Sequence, residues 1–240
     1  MPTMVELFCG TKSGAKAAAA LGYDTWTTDM ERRFNPDLAE NILNIELEDI
    51  PEPFRHPDVV WASPPCQKFS VTQIGRNWRV TEDGQHLPRN KETEIAMVVL
   101  AKTLMLIKEM RPTYFIIENP RDKMRSLPMM LPYYLSDFFG EVVVRRTANH
   151  CQYWEPEKKI KPQKPTDYWT NNLRWQPRPE CSPGDPCHAP APRGSNKGVQ
   201  GMSDSKERAI VPHELCLEFM QACLPGEIDR KPATAKAWVF

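Results

Sequence analysis

Apolar runs of strand length alternate with helical patterns through the first 150 residues of the chain. The strand-like runs are residues 4–9, 25–28, 59–62, 114–117 and 142–144. Apolar residues at helical spacing occupy residues 15–21, 95–110, 131–139 and 212–223. Strands that alternate with helices favour a mostly parallel sheet with helices on its faces. We therefore predict an α/β, Rossmann-like fold, in which helix 95–110, apolar almost all round, is a deeply buried crossover.

The regular pattern ends after residue 150. From Glu155 to Gly201, proline, glycine, lysine and tryptophan replace it, which indicates a loop-rich segment. The segment is too rich in tryptophan for a linker, because Trp154, Trp169 and Trp175 need partners to bury against. The predicted organisation is a main body, a small loop-rich insert, a helix that returns to the body and a tail, at residues 1–150, 151–204, 205–226 and 227–240.

Length and composition limit the class of protein. The 240 residues suffice for one sizeable core with a small appendage. The chain starts without a basic segment followed by an apolar run and contains no run of eighteen apolar residues, so we expect a cytoplasmic protein outside any membrane. We also expect the protein to be a monomer. Seven cysteines, an odd number in a chain without an export signal, argue against a disulfide framework.

The charge is balanced overall but unevenly distributed. The chain holds 31 basic and 31 acidic side chains. Residues 1–60 hold 5 basic and 11 acidic side chains, whereas residues 61–140 hold 11 and 8, and residues 141–210 hold 12 and 8. The two basic stretches are candidates to face phosphates. Ordinary scatter on a solvated surface gives the same counts, so charge alone leaves both interpretations open.

A glycine-containing loop follows the first strand. Residues 10–14 let the backbone turn tightly, and the alanine-rich helix behind them offers free N–H groups to a ligand. The next strand ends at Asp29, where an acid would meet the hydroxyls of a nucleotide ribose. The alternative for Asp29 is a helix cap near Arg32.

Two further strands lead into residues that carry chemistry. Strand 59–62 is followed by Ser63-Pro64-Pro65-Cys66-Gln67-Lys68-Phe69-Ser70, and strand 114–117 by Glu118-Asn119-Pro120-Arg121. The carboxyl edge of an open α/β sheet is where ligands bind, so a thiol nucleophile and an acid are expected to meet there. The alternatives are a buried structural cysteine and an ion pair at the end of a strand.

This pair of motifs resembles the catalytic motifs of the DNA (cytosine-C5) methyltransferase family, and Leu7-Phe8-Cys9-Gly10 resembles its cofactor loop. The resemblance is closest to the short phage-type branch, which reads Glu-Asn-Pro-Arg at the second motif, and it extends to residues 151–153, 164–171, 185–188 and 193–201. It implies an S-adenosylmethionine-dependent methyltransferase fold and double-stranded DNA as the partner. It also implies a location in a bacterium or a phage-infected host cell.

The resemblance implies a mechanism as well. The thiol of Cys66 would add to carbon 6 of a flipped cytosine while Glu118 protonates the ring nitrogen. Because an ordinary thiol is mostly protonated at neutral pH, we expect the site to favour the anion or to hold a base nearby. The implied catalytic residues are Cys66, Glu118, Asn119 and Pro65. The implied residues for S-adenosylmethionine are Phe8, Cys9, Gly10, Thr11, Ser13, Asp29, Met30, Asn44, Ile45 and Pro64.

Two segments are expected to meet DNA. The basic and aromatic stretch 158–200 fits a compact recognition element, and the polar, glycine-containing stretch 67–89 fits a lid that closes over the target base. The candidate DNA-binding residues are Gln67, Ser70, Arg76, Arg79, Arg121, Lys161, Lys164, Arg174, Arg193 and Gln200. Further candidates for phosphate or guanine contacts are Arg145, Arg146 and Arg178.

The sequence departs from the family pattern at two places. Lys12 stands where the phage-type loop has glycine, and it either points outward or contacts the methionine carboxylate or a donor with an extra acid group. The arginine-rich motif of the family is replaced by residues 157–161, Glu-Lys-Lys-Ile-Lys. Which lysine, if any, assists the target base is therefore open.

A group of cysteine and histidine residues offers a zinc site as one interpretation. Cys181, Cys187 and His188, with Cys151 or His150, are the candidate ligands. Their spacing of five residues and then none differs from a standard zinc finger. Buried thiols and a hydrogen-bonded histidine are therefore favoured, and no metal is predicted.

Two rival functions stay open. The smaller tRNA enzymes of the superfamily share the Pro-Cys loop, so an RNA (tRNA) cytosine methyltransferase is the closest rival. A catalytically silent DNA-binding relative is the other, and the intact pair of Cys66 and Glu118 argues against it.

Overall fold

The structure is a computed structural model that describes residues 1–155, 157–158, 161–182, 184–188 and 205–225. Within these ranges the strands are β1 (Thr3–Leu7), β2 (Asp24–Asp29), β3 (Leu38–Ala39), β4 (Val59–Ala62), β5 (Trp78–Val80), β6 (His86–Pro88), β7 (Tyr114–Pro120), β8 (Val144–Asn149) and β9 (Pro165–Thr170). The α-helices are α1 (Ser13–Ala20), α2 (Ile74–Asn77), α3 (Lys91–Met110), α4 (Pro132–Phe139), α5 (Ser205–Ala209) and α6 (His213–Cys223). Most of the regular elements predicted for the main body overlap the observed ones. The last predicted strand, residues 142–144, is displaced: β8 spans Val144–Asn149, whose residues after Val144 are mostly polar and gave no apolar pattern.

One large sheet organises the molecule. Its strand order is β3-β2-β1-β4-β7-β9-β8, and a separate antiparallel pair joins β5 to β6. In this sheet the neighbouring strands β3, β2, β1, β4 and β7 pair in parallel. Strand β9 runs antiparallel to both β7 and β8. The predicted mostly parallel α/β fold is confirmed.

The central strands bury side chains on both faces of the sheet. All four residues of β4 are buried, as expected for a parallel strand covered on both sides. Val60 packs in the cluster that includes Leu104 of α3, and its neighbour Trp61 packs in the cluster that includes Phe219 of α6. The sheet therefore lies between α3 and α4 on one face and α1 and α6 on the other.

Helix α3 begins and ends at recognisable signals. The side chain of Asn90 accepts a hydrogen bond from the Thr93 amide at 2.9 Å, and Arg111 closes the helix with a positive φ of 48°. The helix is not buried all round, however. Ile95, Val98 and Met105 are 46%, 54% and 52% exposed, so the predicted deeply buried crossover is wrong for one face.

The segment predicted as a separate insert contributes a strand to the main sheet. β9 lies between β7 and β8 and pairs with both along its length. The boundary at residue 150 therefore cuts through the sheet, because a strand with two hydrogen-bonded neighbours belongs to the body that holds them. Trp169 and Trp175 are buried, as expected. No helix in the described part of the chain is long and apolar enough to cross a membrane.

Candidate active site

Four strands end in register along one edge of the sheet. Leu7 pairs with Thr28 and with Ala62, and Ala62 pairs with Ile117. The residues that follow this row are the glycine loop, Asp29, the loop that carries Cys66, and Glu118. Parallel pairing therefore brings together the motifs that the sequence analysis singled out.

The loop that carries Cys66 is tied to the neighbouring strand. Pro64 is buried and Pro65 is exposed, and both restrict the backbone that leads to the thiol. The Asn119 side-chain amide donates a hydrogen bond to the Pro64 carbonyl at 2.9 Å and so holds the Cys66 loop against the end of β7. Within the loop, the Phe69 backbone amide donates to the Cys66 carbonyl at 3.0 Å.

Glu118 is nearly enclosed, with 6% of its surface exposed. Burial raises the pKa of its carboxyl above the ordinary value, while Lys164 and a hydrogen bond from Ser63 act in the opposite direction. The Ser63 hydroxyl also accepts a hydrogen bond from the Trp61 indole at 3.1 Å. A carboxyl with a raised pKa keeps its proton toward neutral pH, which suits a general acid.

The Cys66 thiol does not favour its anion. Burial and the Glu118 carboxylate raise its pKa above the ordinary value, and Lys164 lowers it in part. Of the two alternatives expected, a site that favours the anion or a base nearby, the raised pKa favours the second, and Glu118 is the neighbouring carboxyl. The charges of Glu118 and Lys164 act on the thiol in opposite directions.

Lys164 is the lysine that reaches this site. Its side chain is buried, and its amine donates a hydrogen bond to the Arg208 carbonyl at 2.7 Å. Its φ is 35°, a conformation that costs a non-glycine residue energy and that often marks functional sites. Burial lowers the pKa of its ammonium group, while Glu118 and Cys66 raise it. The sequence left open which lysine faces the target base, and Lys164 is the one whose charge acts on both catalytic candidates.

The glycine loop is shaped by positive φ angles at Phe8 (58°) and Gly10 (46°). The Asp29 carboxylate accepts hydrogen bonds from the Gly10 amide at 2.9 Å and from the Glu31 amide at 2.8 Å. Asp29 thus holds the glycine loop in place, and it lies at the carboxyl edge of the sheet. The hydroxyl of the adjacent Thr28 is buried without a hydrogen-bond partner among the described residues. A carboxylate, an unpaired hydroxyl and a tight backbone turn fit a nucleoside with its hydroxyls.

The other predicted cofactor residues surround this loop with different exposures. Ile45 and Cys9 are buried, Met30 is 67% exposed, and Asn44 is exposed and donates to the Glu40 carboxylate at 2.9 Å. The hydroxyls of Thr11 and Ser13 lie 3.1 Å apart, and Ser13 also accepts from the Val211 amide at 3.3 Å. The Lys12 amine donates to the Asn35 carbonyl at 2.5 Å, which supports its outward orientation. Beside Pro64 and the start of α3 lies a mostly apolar cleft of about 180 Å³.

Glu6 is a residue that the sequence analysis missed. It lies in β1 with 3% of its surface exposed, and its two carboxylate oxygens accept from the Gly14 amide at 3.1 Å and the Ala15 amide at 2.8 Å. It thereby binds the N-terminal amides of α1 from below the glycine loop. An acid inside an otherwise apolar strand, just before a glycine loop, was the signal for it.

The predicted lid has secondary structure of its own. Between Gln67 and Arg89 it forms α2 and the β5–β6 hairpin, and Trp78, buried against Phe69, donates to the Lys68 carbonyl at 2.8 Å. The segment is therefore a folded flap rather than an open loop. The predicted DNA contacts in it differ in exposure, because Gln67, Arg76 and Arg79 are exposed and Ser70 is partly buried.

The remaining predicted DNA contacts are scattered. Arg121 is close to the catalytic motif and pairs with Glu180 at 3.2 Å, and Lys161 is partly buried. Arg174 lies at the opposite edge, where it donates to the Tyr114 hydroxyl, at the first residue of β7, at 2.9 Å. The structure argues against a DNA contact for it. Arg193 and Gln200 lie outside the described residues.

Arginines 145, 146 and 178 have internal partners. Arg145 donates to the Arg125 carbonyl, and Arg146 to the Gln176 side chain. Arg178 donates to the Glu218 carboxylate at 2.8 Å from Nε and lies over the Tyr153 ring. These contacts argue against a role for the three guanidinium groups in binding phosphates or guanines.

The cysteine and histidine candidates do meet in space. Cys151, Cys181, Cys187 and His188 bring one ligand atom each to a group in which all atoms lie within 4.8 Å of one another. His150 is not part of it, because its Nε2 lies 3.0 Å from the Tyr168 hydroxyl. The cysteines are free thiols and His188 Nδ1 lies within hydrogen-bond distance of two of them, so both interpretations, hydrogen-bonded thiols and a zinc site, stay open at this point.

Comparison with known proteins gives a family and close parallels in sequence. Residues 3–125 match the model of the C-5 cytosine-specific DNA methylase family. The chain is 26% identical over 238 residues to the "Probable DNA (cytosine-5)-methyltransferase" of Frog virus 3 (isolate Goorha). That alignment covers 92% of this chain and 99% of the viral protein.

A solved structure shows the same fold at low sequence identity. A prophage-encoded E. coli protein assigned as a DNA modification methyltransferase has a TM-score of 0.51 and 14% identity, and covers 74% of this chain and 51% of its own. The Entamoeba histolytica methyltransferase EhMeth has a TM-score of 0.49 and 12% identity, and covers 71% of this chain and 52% of its own. The chain thus spans about half the length of these two solved structures.

Proposed function

Since the chain belongs to the C-5 cytosine-specific DNA methylase family, we propose that it transfers a methyl group to carbon 5 of cytosine in double-stranded DNA. The methyl donor is S-adenosylmethionine, which supplies the methyl group as an electrophilic sulfonium. The predicted residues at the glycine loop would hold it, with the Asp29 carboxylate at the ribose hydroxyls and Gly10 at the turn. Pro64 and the adjacent apolar cleft would accommodate the methionine end next to the thiol.

The proposed reaction starts at Cys66. Its thiolate forms a bond to carbon 6 of the cytosine ring, and this addition gives carbon 5 enamine character so that it takes up the methyl group. The methyl donor would be left as the neutral thioether S-adenosylhomocysteine. Loss of the carbon-5 proton to solvent then reforms the ring double bond as the carbon–sulfur bond breaks, the thiolate leaves and the ring nitrogen returns its proton to Glu118. Without the covalent step, carbon 5 is too weak a nucleophile.

Glu118 and Lys164 set the charge around that step. A protonated Glu118 gives its proton to the ring nitrogen and, being neutral, no longer repels the thiolate of Cys66. The ammonium group of Lys164 stabilises the sulfur anion. The raised pKa of Glu118 is thus useful twice, since it keeps the acid loaded and removes the repulsion that raises the pKa of the thiol.

One observation carries the proposal. Cys66 follows β4 and Glu118 lies near the carboxyl end of β7, at the same edge of the sheet, and the Asn119 side-chain amide joins the two motifs by donating to the Pro64 carbonyl at 2.9 Å. Two separate stretches of sequence therefore form one site that pairs a nucleophile with an acid. A duplex base reaches this enclosed site only when it is flipped out of the stack. The flap at residues 67–89, which packs on the Cys66 loop through Trp78 and Phe69, would close over it.

The test is covalent trapping. Duplex DNA that contains 5-fluorocytosine, mixed with the protein and S-adenosylmethionine, should give a denaturation-resistant complex, because fluorine cannot leave as the carbon-5 proton does. Cys66→Ser should abolish the complex and retain the fold. Glu118→Gln should slow its formation by about 10²–10⁴-fold, the usual size of general-acid effects.

The controls separate the rival functions. The DNA pool must contain many sequence contexts, because one short duplex can lack the recognition site. A parallel reaction with tRNA distinguishes an RNA enzyme, and a protein that traps neither substrate is a silent relative. Trapping that persists in Cys66→Ser would refute the nucleophile.

A further inference from the structure

Three thiols and an imidazole form a compact cluster away from the catalytic pair. Cys151 follows β8, whereas Cys181, Cys187 and His188 come from the chain after β9. The Cys151 sulfur lies 3.4 Å from that of Cys181 and 3.6 Å from that of Cys187. His188 Nδ1 lies 3.6 Å from the Cys181 sulfur and 3.2 Å from the Cys187 sulfur. All the cysteines of this cluster are free thiols.

These four separations are within about 0.4 Å of the edges of a zinc tetrahedron, and all four ligand atoms lie within 4.8 Å of one another. With Zn–S bonds of about 2.3 Å and Zn–N bonds of about 2.0–2.1 Å, a tetrahedral site places its sulfurs about 3.8 Å apart and its nitrogen about 3.6 Å from each sulfur. A disulfide, by contrast, needs sulfurs about 2.05 Å apart and would leave the third thiol and the imidazole unused. The cluster thus has the donor set and the size of a closed structural site.

The surroundings of the sulfurs give a second, independent argument. Three side-chain amides donate to them, from Asn149 to Cys181 at 3.3 Å, from Gln163 to Cys181 at 3.4 Å, and from Gln152 to Cys187 at 3.6 Å. A neutral thiol is only a weak hydrogen-bond acceptor, whereas a metal-bound thiolate accepts such hydrogen bonds strongly.

We propose that Cys151, Cys181, Cys187 and His188 bind one structural zinc ion. Thiolate and imidazole ligands in a tetrahedron select zinc among the common divalent cations. All four positions are filled by protein, so the site is closed to substrate. The metal would fasten the chain around residues 181–188 to the end of β8. That chain segment has little core of its own, which is where small folds use a metal.

A residue next to Lys164 contacts this cluster. Gln163, which donates to the Cys181 sulfur, immediately precedes Lys164 with its positive φ. The metal site would therefore brace the turn that holds Lys164. Loss of the metal should affect the fold first, and this consequence is independent of the proposed methyl transfer.

Metal content tests the proposal directly. The protein should be purified under reducing conditions, without chelator, from zinc-supplemented cells. It should contain about one zinc per chain by inductively coupled plasma mass spectrometry. Cys181→Ser and His188→Ala should each lower zinc content about tenfold or more. Cys223→Ser, a buried cysteine outside the cluster, is the matched control and should keep the metal, as should Cys66→Ser. A metal-free wild type, or variants of the cluster that keep full zinc content, would overturn the proposal.

A spectroscopic measurement on the wild type covers the case in which the variants fail to fold. X-ray absorption at the zinc edge should show three sulfurs at about 2.3 Å and one nitrogen at about 2.0 Å. A shell dominated by oxygen, or peptide mapping that finds a disulfide within the cluster after reducing purification, would contradict it. Removal of the metal by a chelator should lower the melting temperature by more than about 5 °C, since binding to the folded state alone stabilises it.

Discussion

At the scale of single residues, the active site depends on opposed charges around one thiol. Burial raises the pKa of the Cys66 thiol, Glu118 raises it further, and Lys164 lowers it in part. The thiol is therefore expected to react slowly at neutral pH in the free protein.

Alkylation of Cys66 should show this balance. Because its pKa is raised, iodoacetamide should modify Cys66 slowly at pH 7 and faster as the pH rises through 9 and above. Glu118→Gln removes the repulsion and should speed the reaction at pH 8 several-fold, whereas Lys164→Met removes the attraction and should slow it. Peptide mass spectrometry follows the modification. Modification of the wild type at pH 7 at the rate of a small model thiol, or the same change in both variants, would contradict the charge balance.

At the scale of elements, the sequence pattern was sufficient wherever an element packs with a regular face. β4 was predicted as Val59–Ala62 and is found there, and α6 begins one residue after the predicted Pro212. The pattern failed for β9, because its residues mix proline, threonine and aspartate, and only pairing with β7 and β8 makes them a strand. Buried Asp167 and Thr170 read as loop residues in a one-dimensional pattern.

Glu6 couples β1 to the start of α1, and the coupling should depend on pH. Burial raises its pKa to about 7 from 4.5. A folded-state pKa above the unfolded value means that its favourable contribution is complete below pH 4.5 and is lost as the pH rises through 7. The wild type should therefore lose on the order of 3 kcal/mol of unfolding free energy between pH 4.5 and 8 through Glu6.

Urea unfolding at several pH values measures this loss. Glu6→Gln cannot ionise, so its stability should depend less on pH by that amount, even though it gives up a hydrogen bond to α1. The exposed Glu52→Gln is the control and should keep the slope of the wild type. Equal slopes in Glu6→Gln and the wild type would assign the pH dependence to other groups.

At the scale of the whole molecule, helix α6, near the end of the described chain, packs against the core formed by the first strands. Phe219 of α6 packs edge-on against Trp61 of β4 and Trp175, with ring centroids 5.7 Å and 5.4 Å apart. α6 also packs against α1, which follows the glycine loop. The ends of the described chain are therefore part of one core.

Removal of that aromatic contact should destabilise the entire protein. Phe219→Ala should lower the unfolding free energy by about 3–5 kcal/mol, as truncation of a fully buried phenylalanine usually does. Tyr133→Ala, at an aromatic residue that is 63% exposed, should change it by less than about 1 kcal/mol. Denaturant unfolding monitored by tryptophan fluorescence measures both. A small loss in Phe219→Ala would mean that α6 is only loosely attached.

The sequence by itself determined the α/β class, the mostly parallel sheet and the two motifs that contain Cys66 and Glu118. These features depend on local apolar periodicity and on short motifs that each occupy one stretch of chain. Tertiary structure decided which lysine faces the site, where the arginines point and which cysteines meet. These outcomes depend on contacts between residues far apart in the chain, such as Cys151 with Cys181, for which no local pattern of apolar and polar positions carries a signal.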